Sequence, residues 1–566
     1  LPLDAEEIRI QLKSQNRWLT GLGTSPKDAP KPEQSALAQA QLEALLTLAD
    51  YIGEWKVKLD AALVHEVQEK LKANYWISQS YTQIRDSQLS QAGSDSVASL
   101  FPEGHAVFAP IDPVSKVFTK EKWESHLQSA VREKSTYLAA QYKEMSEPKS
   151  EDQIRAELRD HYVSEGRQRW TTFLKGLQIQ PFSGVEQGAK RLAVLGSPRS
   201  PLPKLFQEVW KQKFVLDVPP ATKFQDRLPP KVKSNEDAPT ETWHVQLQKQ
   251  LARLGLALDE VAKKPKGERI YARAVANTLA ELDPLRTTYQ EVEKEILDVI
   301  LPQVPVIQEE FAKRIVGEVL IAARAGVQAE AQREADAAWS AGPQGIYASK
   351  FAERYPFNPE AKEETPLDEF SRLLKPTEGT LWVAVEAHKR LGAYTVGGQG
   401  LLKRGVRYEG AVKDAERLRN ALFNAAGELS LELKIKPYKR TGVKNVRFTL
   451  GKESITENEL PPNRRHTMSW GRERGAKVSV LGADQSEWAH VDHGNSSWGL
   501  VRLLAAGTFD PETSKDGRFR FTWSFTLDGE QRLGEVEFGV EHVAGQALFT
   551  QKLFKGHTPF PPRIEQ

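Results

Sequence analysis

The chain has 566 residues, 39% hydrophobic and 27% charged, which is enough apolar material for several cores and excludes broad disorder. A formal net charge of +2 is too balanced for nucleic acid or an anionic membrane to be the main partner. The absence of cysteine excludes disulfides, thiolate metal sites and cysteine nucleophiles.

Residues 1 to about 75 read as mostly helical around a Gly/Pro-rich loop at 21–32. Leu42, Leu45, Ala49, Ile52, Trp55, Leu59, Leu63 and Val67 recur every three or four residues, one face of a long helix. A loop-rich passage at 93–117 precedes helix from Lys120 to Met145, and the polar run 146–150 is a natural break. Helix is expected again from Glu151 to Leu177. A shorter helix carrying Ala189, Leu192 and Leu195 ends at Gly196-Ser197-Pro198, and another opens at Ser200-Pro201. The charged, proline-spotted stretch 219–239 reads as a linker. Val316, Val319, Leu320, Ala323 and Val327 form a stripe within a further helical block over 240–342. The most apolar stretch, 315–327, is broken by Glu318 and Arg324, and no apolar run approaches the ~18 residues needed to cross a bilayer.

The segment 351–382 is the joint of the chain. Pro356 and Pro359 cannot continue a helix, Tyr355 and Phe357 flank a fixed backbone, and Pro366-Leu367-Asp368 opens a new helix with Thr365 as the expected N-cap. Val396-Gly397-Gly398-Gln399-Gly400 reads as a flexible loop, and a helix with Tyr408, Ala411, Ala415, Leu418 and Leu422 ends near Asn424. The period then switches to two in Leu429–Ile435, Val446–Leu450 and Phe519–Leu527, and Asp528-Gly529 is a hairpin signal. Roughly six to eight antiparallel strands with one wet face suggest a sandwich or partial barrel.

The search for chemistry returns little. No phosphate loop or His-Glu-x-x-His is present, since His65-Glu66-Val67-Gln68-Glu69 lacks the second histidine, and the glycines at 397–400 do not open a βα unit. His490, Asp492 and His493 read as turn chemistry rather than metal ligands. Carboxylate pairs such as Glu309-Glu310 and Glu363-Glu364 read as solvated faces. Lys434, Lys436, Lys439, Arg440, Lys444 and Arg447, joined by Arg464, Arg465, Arg472 and Arg474, are either an electrostatic docking face or a solubilising edge. Trp470, Trp488, Trp498 and Trp523 are core by default and a carbohydrate platform as the minority reading.

The order of several segments resembles the periplasmic region of the IcmF/TssM family, the large inner-membrane component of type VI secretion systems. These are Glu157-Leu158-Arg159-Asp160-His161-Tyr162 with Arg169-Trp170-Thr171-Thr172-Phe173-Leu174, then Ala189–Leu195 and Ser200-Pro201-Leu202. Arg354-Tyr355-Pro356-Phe357 with Leu367-Asp368-Glu369-Phe370 and Pro376-Thr377-Glu378-Gly379 follows, then Ala415–Arg419, Ser469-Trp470 and Ser497-Trp498-Gly499-Leu500-Val501-Arg502-Leu503-Leu504. The chain departs from the family at Trp470-Gly471-Arg472, where the pattern is Trp-Pro-Gly, and at Pro376-Thr377-Glu378-Gly379, where it is Pro-Gly-Gly.

The expected fold is an α+β multidomain chain, with consecutive helical domains followed by a C-terminal antiparallel β-sandwich-like domain. The expected domains are 1–146, 147–235, 236–424 (a helical bundle including the joint) and 425–566 (a docking domain). The resemblance implies a structural, non-enzymatic periplasmic column in a Gram-negative bacterium, linking the inner membrane to the outer-membrane lipoprotein TssJ. It further implies TssL at the inner membrane as a partner, self-association into a ring or column, and no nucleic-acid partner. The opening residues lack both an initiator Met and a signal-peptide pattern, so the chain is expected to be a portion of a longer one, and the resemblance implies anchoring only through membrane spans upstream of Leu1. No catalytic, cofactor-binding or metal-binding residue is assigned. Loops 463–474 and 486–497 are the guessed lipoprotein contacts. The alternative is a secreted hydrolase with a helical body and a carbohydrate-binding β module, which requires exposed tryptophans on one sheet face.

Overall fold

The computed structural model describes residues 76–90, 102–143, 149–212, 242–304, 306–439, 442–461, 463–471, 475–550, 553–554 and 556–565. The expected helix over 42–67, the loop at 21–32, His65, the linker at 219–239, and Arg440, Arg472 and Arg474 lie outside the described residues. Two compact units are distinguished, one of Leu1–Gly93 with Val117–Gly166, the other of Ser94–Lys116 with Arg167–Gln566.

The described part of the first unit is helical. It holds α1 (residues 76–90), a short helix at Lys120–Lys122 running through a π turn into α2 (Gln128–Tyr142), and the portion of α3 (Glu151–Gly176) up to Gly166. Thr119 caps the second run, its side chain accepting from the Lys122 N–H at 3.4 Å. Ile77, Leu127, Val131, Leu138, Ile154 and Leu158 are buried. Two tyrosines keep their rings inside while satisfying their hydroxyls: Tyr162 donates to the Val117 carbonyl at 3.1 Å, and Tyr81 donates to Glu165 at 2.7 Å.

In the second unit, α4 (Val185–Leu195) and α5 (Pro201–Lys211) obey their terminal signals. Ser200 accepts from the Leu202 N–H at 3.4 Å with Pro201 in the first turn, where a missing N–H costs nothing. There follow α6 (Trp243–Ala262), α7 (Ile270–Ala276), α8 (Asp283–Lys294) and α9 (Val306–Ala341). At 36 residues α9 is about 54 Å long, and its inner face is built from Ala312, Ile315, Val319, Ala323, Val327, Ala331, Ala335 and Trp339. The small residues in that stripe let α4, α5 and α7 approach closely.

After α10 (Pro343–Lys350) comes the joint, then α11 (Leu367–Leu374) and α12 (Thr380–Ala393). One expectation fails here. Pro366 occupies the N-cap of α11, and Thr365 is buried just outside it, its N–H donating to the Tyr355 carbonyl at 2.8 Å. The long-range pairing of that backbone overrides the local capping preference of threonine.

A second expectation also fails. Residues 395–400 are a hairpin, β1 (Thr395–Val396) with β2 (Gln399–Gly400), not a flexible loop. Gly397 and Gly398 both take positive φ (55° and 76°), the backbone of a tight two-residue turn. Arg324 and Gln328 of α9 hold it by donating to the Gly397 and Gly400 carbonyls at 3.0 and 2.8 Å. A Cβ on Gly397 would stand 2.7 Å from the Tyr289 ring. Gly397→Ala is therefore expected to destabilise by about 2 kcal/mol, read as a lowered thermal midpoint. An unchanged midpoint would show that the hairpin is not seated as described.

α13 (Val406–Leu422) leads into the β region, a sandwich of a five-stranded and a four-stranded sheet. Its strands are β3 (Leu431–Lys439), β4 (Asn445–Leu450), β5 (Glu453–Thr456), β6 (His466–Trp470), β7 (Ala476–Leu481), β8 (Glu487–Asp492), β9 (Thr508–Asp510), β10 (Arg518–Leu527) and β11 (Glu530–Gly539). The orders are β6-β3-β11-β10-β9 and β5-β4-β7-β8, every neighbouring pair antiparallel. Leu433, Ile435, Phe521, Trp523, Val536 and Phe538 of one sheet are buried, as are Val446, Phe448, Val478 and Val480 of the other. Pro437 is tolerated inside β3 because β6 pairs with β3 only as far as Ile435. A short helix, α14 (Gly499–Ala506), crosses from β8 to β9, an element the period-two pattern did not announce. The fold is α+β, helices first and antiparallel sheets after, as the sequence suggested.

Candidate interaction module and its junction with the helices

The joint earns its place by hydrogen bonding. Tyr355 donates its N–H to the Glu363 carbonyl at 2.9 Å while its own carbonyl accepts from Thr365, so the bend closes on itself. This pairing turns Glu363 outward, its side chain 75% exposed, and Glu364 inward, its side chain 20% exposed. Glu364 then accepts from the Ser497 N–H at 2.8 Å, from Arg502 Nε at 2.7 Å and from the Ser496 hydroxyl. Burial opposes its ionisation, but the Ser496 and Arg502 bonds outweigh that and hold the carboxyl below the usual range. The Arg502 guanidinium also lies 3.8 Å from the centre of the Tyr355 ring.

Beside this ionic latch runs an aromatic core. Trp498 is fully buried and donates its Nε1–H to the Thr365 carbonyl at 2.8 Å. Its ring meets Phe370 of α11 at 5.2 Å, Trp470 of β6 at 5.4 Å and Phe554 at 5.5 Å. Residues 556–565 add a strap across the helices. Trp339 Nε1 donates to the Pro561 carbonyl at 2.7 Å, the Thr558 N–H to Asp414 at 2.7 Å and the Ile564 N–H to Asp336 at 2.8 Å. Two histidine side chains are buried in this region, His388 on α12 and His557 in the strap itself. His388 is bonded through Nδ1 to Tyr408 at 2.8 Å, and His557 lies between the Tyr347, Phe357 and Phe560 rings. Burial pushes them down to about 3 and about 4, so both are neutral.

The residues singled out in the sequence fall in different places. Trp470, Trp498 and Trp523 are buried, so they form no carbohydrate platform; Trp488 alone of the four is exposed, at 42%. Of those basic residues Arg465 and Lys434 are already engaged within the domain, and Arg520 of β10, outside that set, joins Arg465 on Glu537. Arg465 bonds Glu537 at 2.6 and 2.8 Å, Arg520 bonds it at 3.2 Å, and Lys434 pairs with Glu541. His490 sits on β8, where its ring meets Glu487 at 2.6 Å, and Asp492 accepts the Gly494 N–H at 2.6 Å. Among the described residues there is no metal-ligating group of three or more, and no helix long and apolar enough to cross a membrane.

Each of the two stretches guessed as loops contains an edge strand. Residues 463–474 contain β6, an edge of the five-stranded sheet, and residues 486–497 contain β8, an edge of the other. β10 packs over β8 while β3 packs over β4, so the two edges lie on opposite flanks. Ser496 and Ser497 are consumed by the latch. The residue that sequence reasoning missed is Glu364, set aside as half of a solvated pair. Its signal was position, inside a proline- and aromatic-rich bend where one of two adjacent carboxylates must face inward.

The fold and junction define a class first: a helical body bonded through an ionic latch and aromatic packing to a β-sandwich. The chain belongs to the IcmF/TssM family. The family "IcmF-related: Intracellular multiplication and human macrophage-killing" matches residues 2–213, and "Type VI secretion protein IcmF C2-like domain" matches residues 433–535, spanning β3 into β11. Among solved structures, a "Type VI secretion system membrane core complex" is 16% identical over 87% of this chain and 98% of that one, with a TM-score of 0.48. A "Type VI membrane complex" is 16% identical over 90% and 96%, TM-score 0.47. The "T6SS protein TssM C-terminal domain" from EAEC is 15% identical over 41% and 98%, TM-score 0.34. No curated protein matches the chain in sequence.

Proposed function

We propose that the chain is a structural component of a type VI secretion membrane complex and forms a periplasmic column between the inner membrane and the outer-membrane lipoprotein TssJ. The observation that carries the reading is the pair of family matches in order along the chain, the second falling on the β-sandwich. In this reading the sandwich, residues 425–566, is the docking head, TssL is the neighbour at the inner membrane, and copies of the chain associate around the passage. The role is one of shape and adhesion rather than turnover. In support, the most strongly perturbed histidines, His388 and His557, are enclosed by packed rings and chain rather than opening onto a cleft.

The test is secretion itself. Cells lacking the protein should fail to release the secretion-tube subunit into the medium, and plasmid-borne wild type should restore release. Undiminished release from the deleted strain would remove the assignment.

A further inference from the structure

β8 is the one strand of its sheet whose side chains are all exposed or half-buried, and among the described residues nothing pairs with its outer edge. His493 donates its N–H to the Ala476 carbonyl at 2.9 Å, and the same bonded phase continues through Val491 opposite Val478. Antiparallel alternation therefore leaves the N–H and C=O of His490 and Asp492 facing outward. Toward the other end the register slips. Val480 opposes Ala489 and Leu481 opposes Glu487, so Trp488 is the extra residue of a β-bulge. Its indole lies over Gly482, where any Cβ would collide with the ring; the bulge and the glycine together present a large aromatic beside open backbone. Exposed edges are ordinarily blunted by lysine, proline, shortness or a bulge; here the bulge sits at the Trp488 end and leaves the His490–Asp492 end open. Its own charges are acidic, Glu487 and Asp492 on the strand and Asp484 in the turn before it. Lys477 of β7 reaches both strand carboxylates, at 2.8 and 3.8 Å, and the His490 ring lies 2.6 Å from Glu487, which leaves the acidic groups in excess.

We propose that β8 is a strand-addition site that accepts an extended, lysine- or arginine-bearing segment of a partner protein, with Trp488 as its aromatic anchor. Outward N–H and C=O groups supply the main-chain ladder, the indole supplies the apolar contact, and the carboxylates select a basic strand over an acidic one. The inference rests on the reading of the sandwich as a docking head and adds to it the strand, the mode and the partner's charge.

The experiment uses the whole chain and two fluorescently labelled peptides, one alternating lysine with valine and the other glutamate with valine. Fluorescence anisotropy should show binding of the lysine peptide only. Trp488→Ala and His490→Pro should each weaken it roughly tenfold; the proline deletes a donor that already faces solvent, so the fold is retained. The double change Asp484→Lys with Asp492→Lys should reverse the peptide preference. Equal binding of both peptides, indifference to Trp488→Ala and His490→Pro, or a wild-type dimer that Trp488→Ala dissolves in sedimentation would overturn the proposal, the last by making a second copy the occupant. Purified lipoprotein separates the two readings. Retained binding by His490→Pro would leave the docking head standing without β8, whereas no binding to wild type with the peptide results intact would remove lipoprotein docking alone.

Discussion

Replacing Trp498 with alanine is expected to destabilise the second unit by about 3–5 kcal/mol, the cost of emptying a fully buried aromatic site. The side chain touches three elements at once, Phe370 on α11, Trp470 on β6 and Phe554 beside the strap, so no single one can collapse into the void. Trp498→Phe keeps most of the ring volume but strands the Thr365 carbonyl, and should cost about 1–3 kcal/mol. The check is urea unfolding followed by near-ultraviolet circular dichroism, together with limited proteolysis around residues 424–430. Wild-type protease resistance in Trp498→Ala would mean the sandwich is held to the helices by something other than this junction. Glu364→Gln is the companion variant. It keeps the shape, removes the charge facing Arg502, and should loosen the same segment to a smaller degree.

The second large effect is acid sensitivity. His388 and His557 have folded-state values of about 3 and about 4, against 6.5 for an exposed imidazole. The unfolded chain therefore binds more protons than the folded one between these values and 6.5. The histidine contribution to stability is full above pH 6.5, declines as the pH falls, and is exhausted for each group at its folded value. Each histidine accounts for up to about 1.4 kcal/mol per pH unit inside its window. The groups facing them set the windows. Around His388 these are Tyr408, Tyr271 and Arg404, the last adding to the depression caused by burial; around His557, Asp414 partly offsets burial while Arg417 adds to it. Glu364 and Glu537, both held below the usual carboxylate range, lose their contribution only as the pH falls below about 4.5. Between pH 6.5 and 5 the slope is therefore led by His388 and His557, with His244 and His493, also lowered by burial, adding to it and Glu334, raised by burial, opposing it. Denaturant midpoints across that range should fall with pH in wild type and flatten in His388→Phe with His557→Phe. Parallel slopes in the two proteins would assign the sensitivity elsewhere.

What the sequence disclosed and what it withheld divide along a physical line. Alternation in Phe519–Leu527 and the Asp528-Gly529 turn are local properties, and both were readable; both turn residues take positive φ in the hairpin between β10 and β11. The α9 stripe was equally local. The hairpin at 395–400 was not, because it depends on Arg324 and Gln328, some 70 residues away in the chain, to hold carbonyls that a free loop would give to water. Thr365 and Glu364 were misread for the same reason: capping and solvation are local defaults, and a bond from Trp498 or Arg502 overrides them only when tertiary structure brings it near. α14 stayed hidden because eight residues of Gly499–Ala506 carry too little period to separate from an apolar strand.

The most direct test of the scaffold account is co-purification of the whole chain with the lipoprotein of its own secretion system after co-expression in the periplasm. The account predicts that the two proteins elute together, and that removing residues 425–566 leaves the lipoprotein behind. A shortened chain that still carries the lipoprotein, or an intact chain that never does, would contradict the assignment of the sandwich as the docking head.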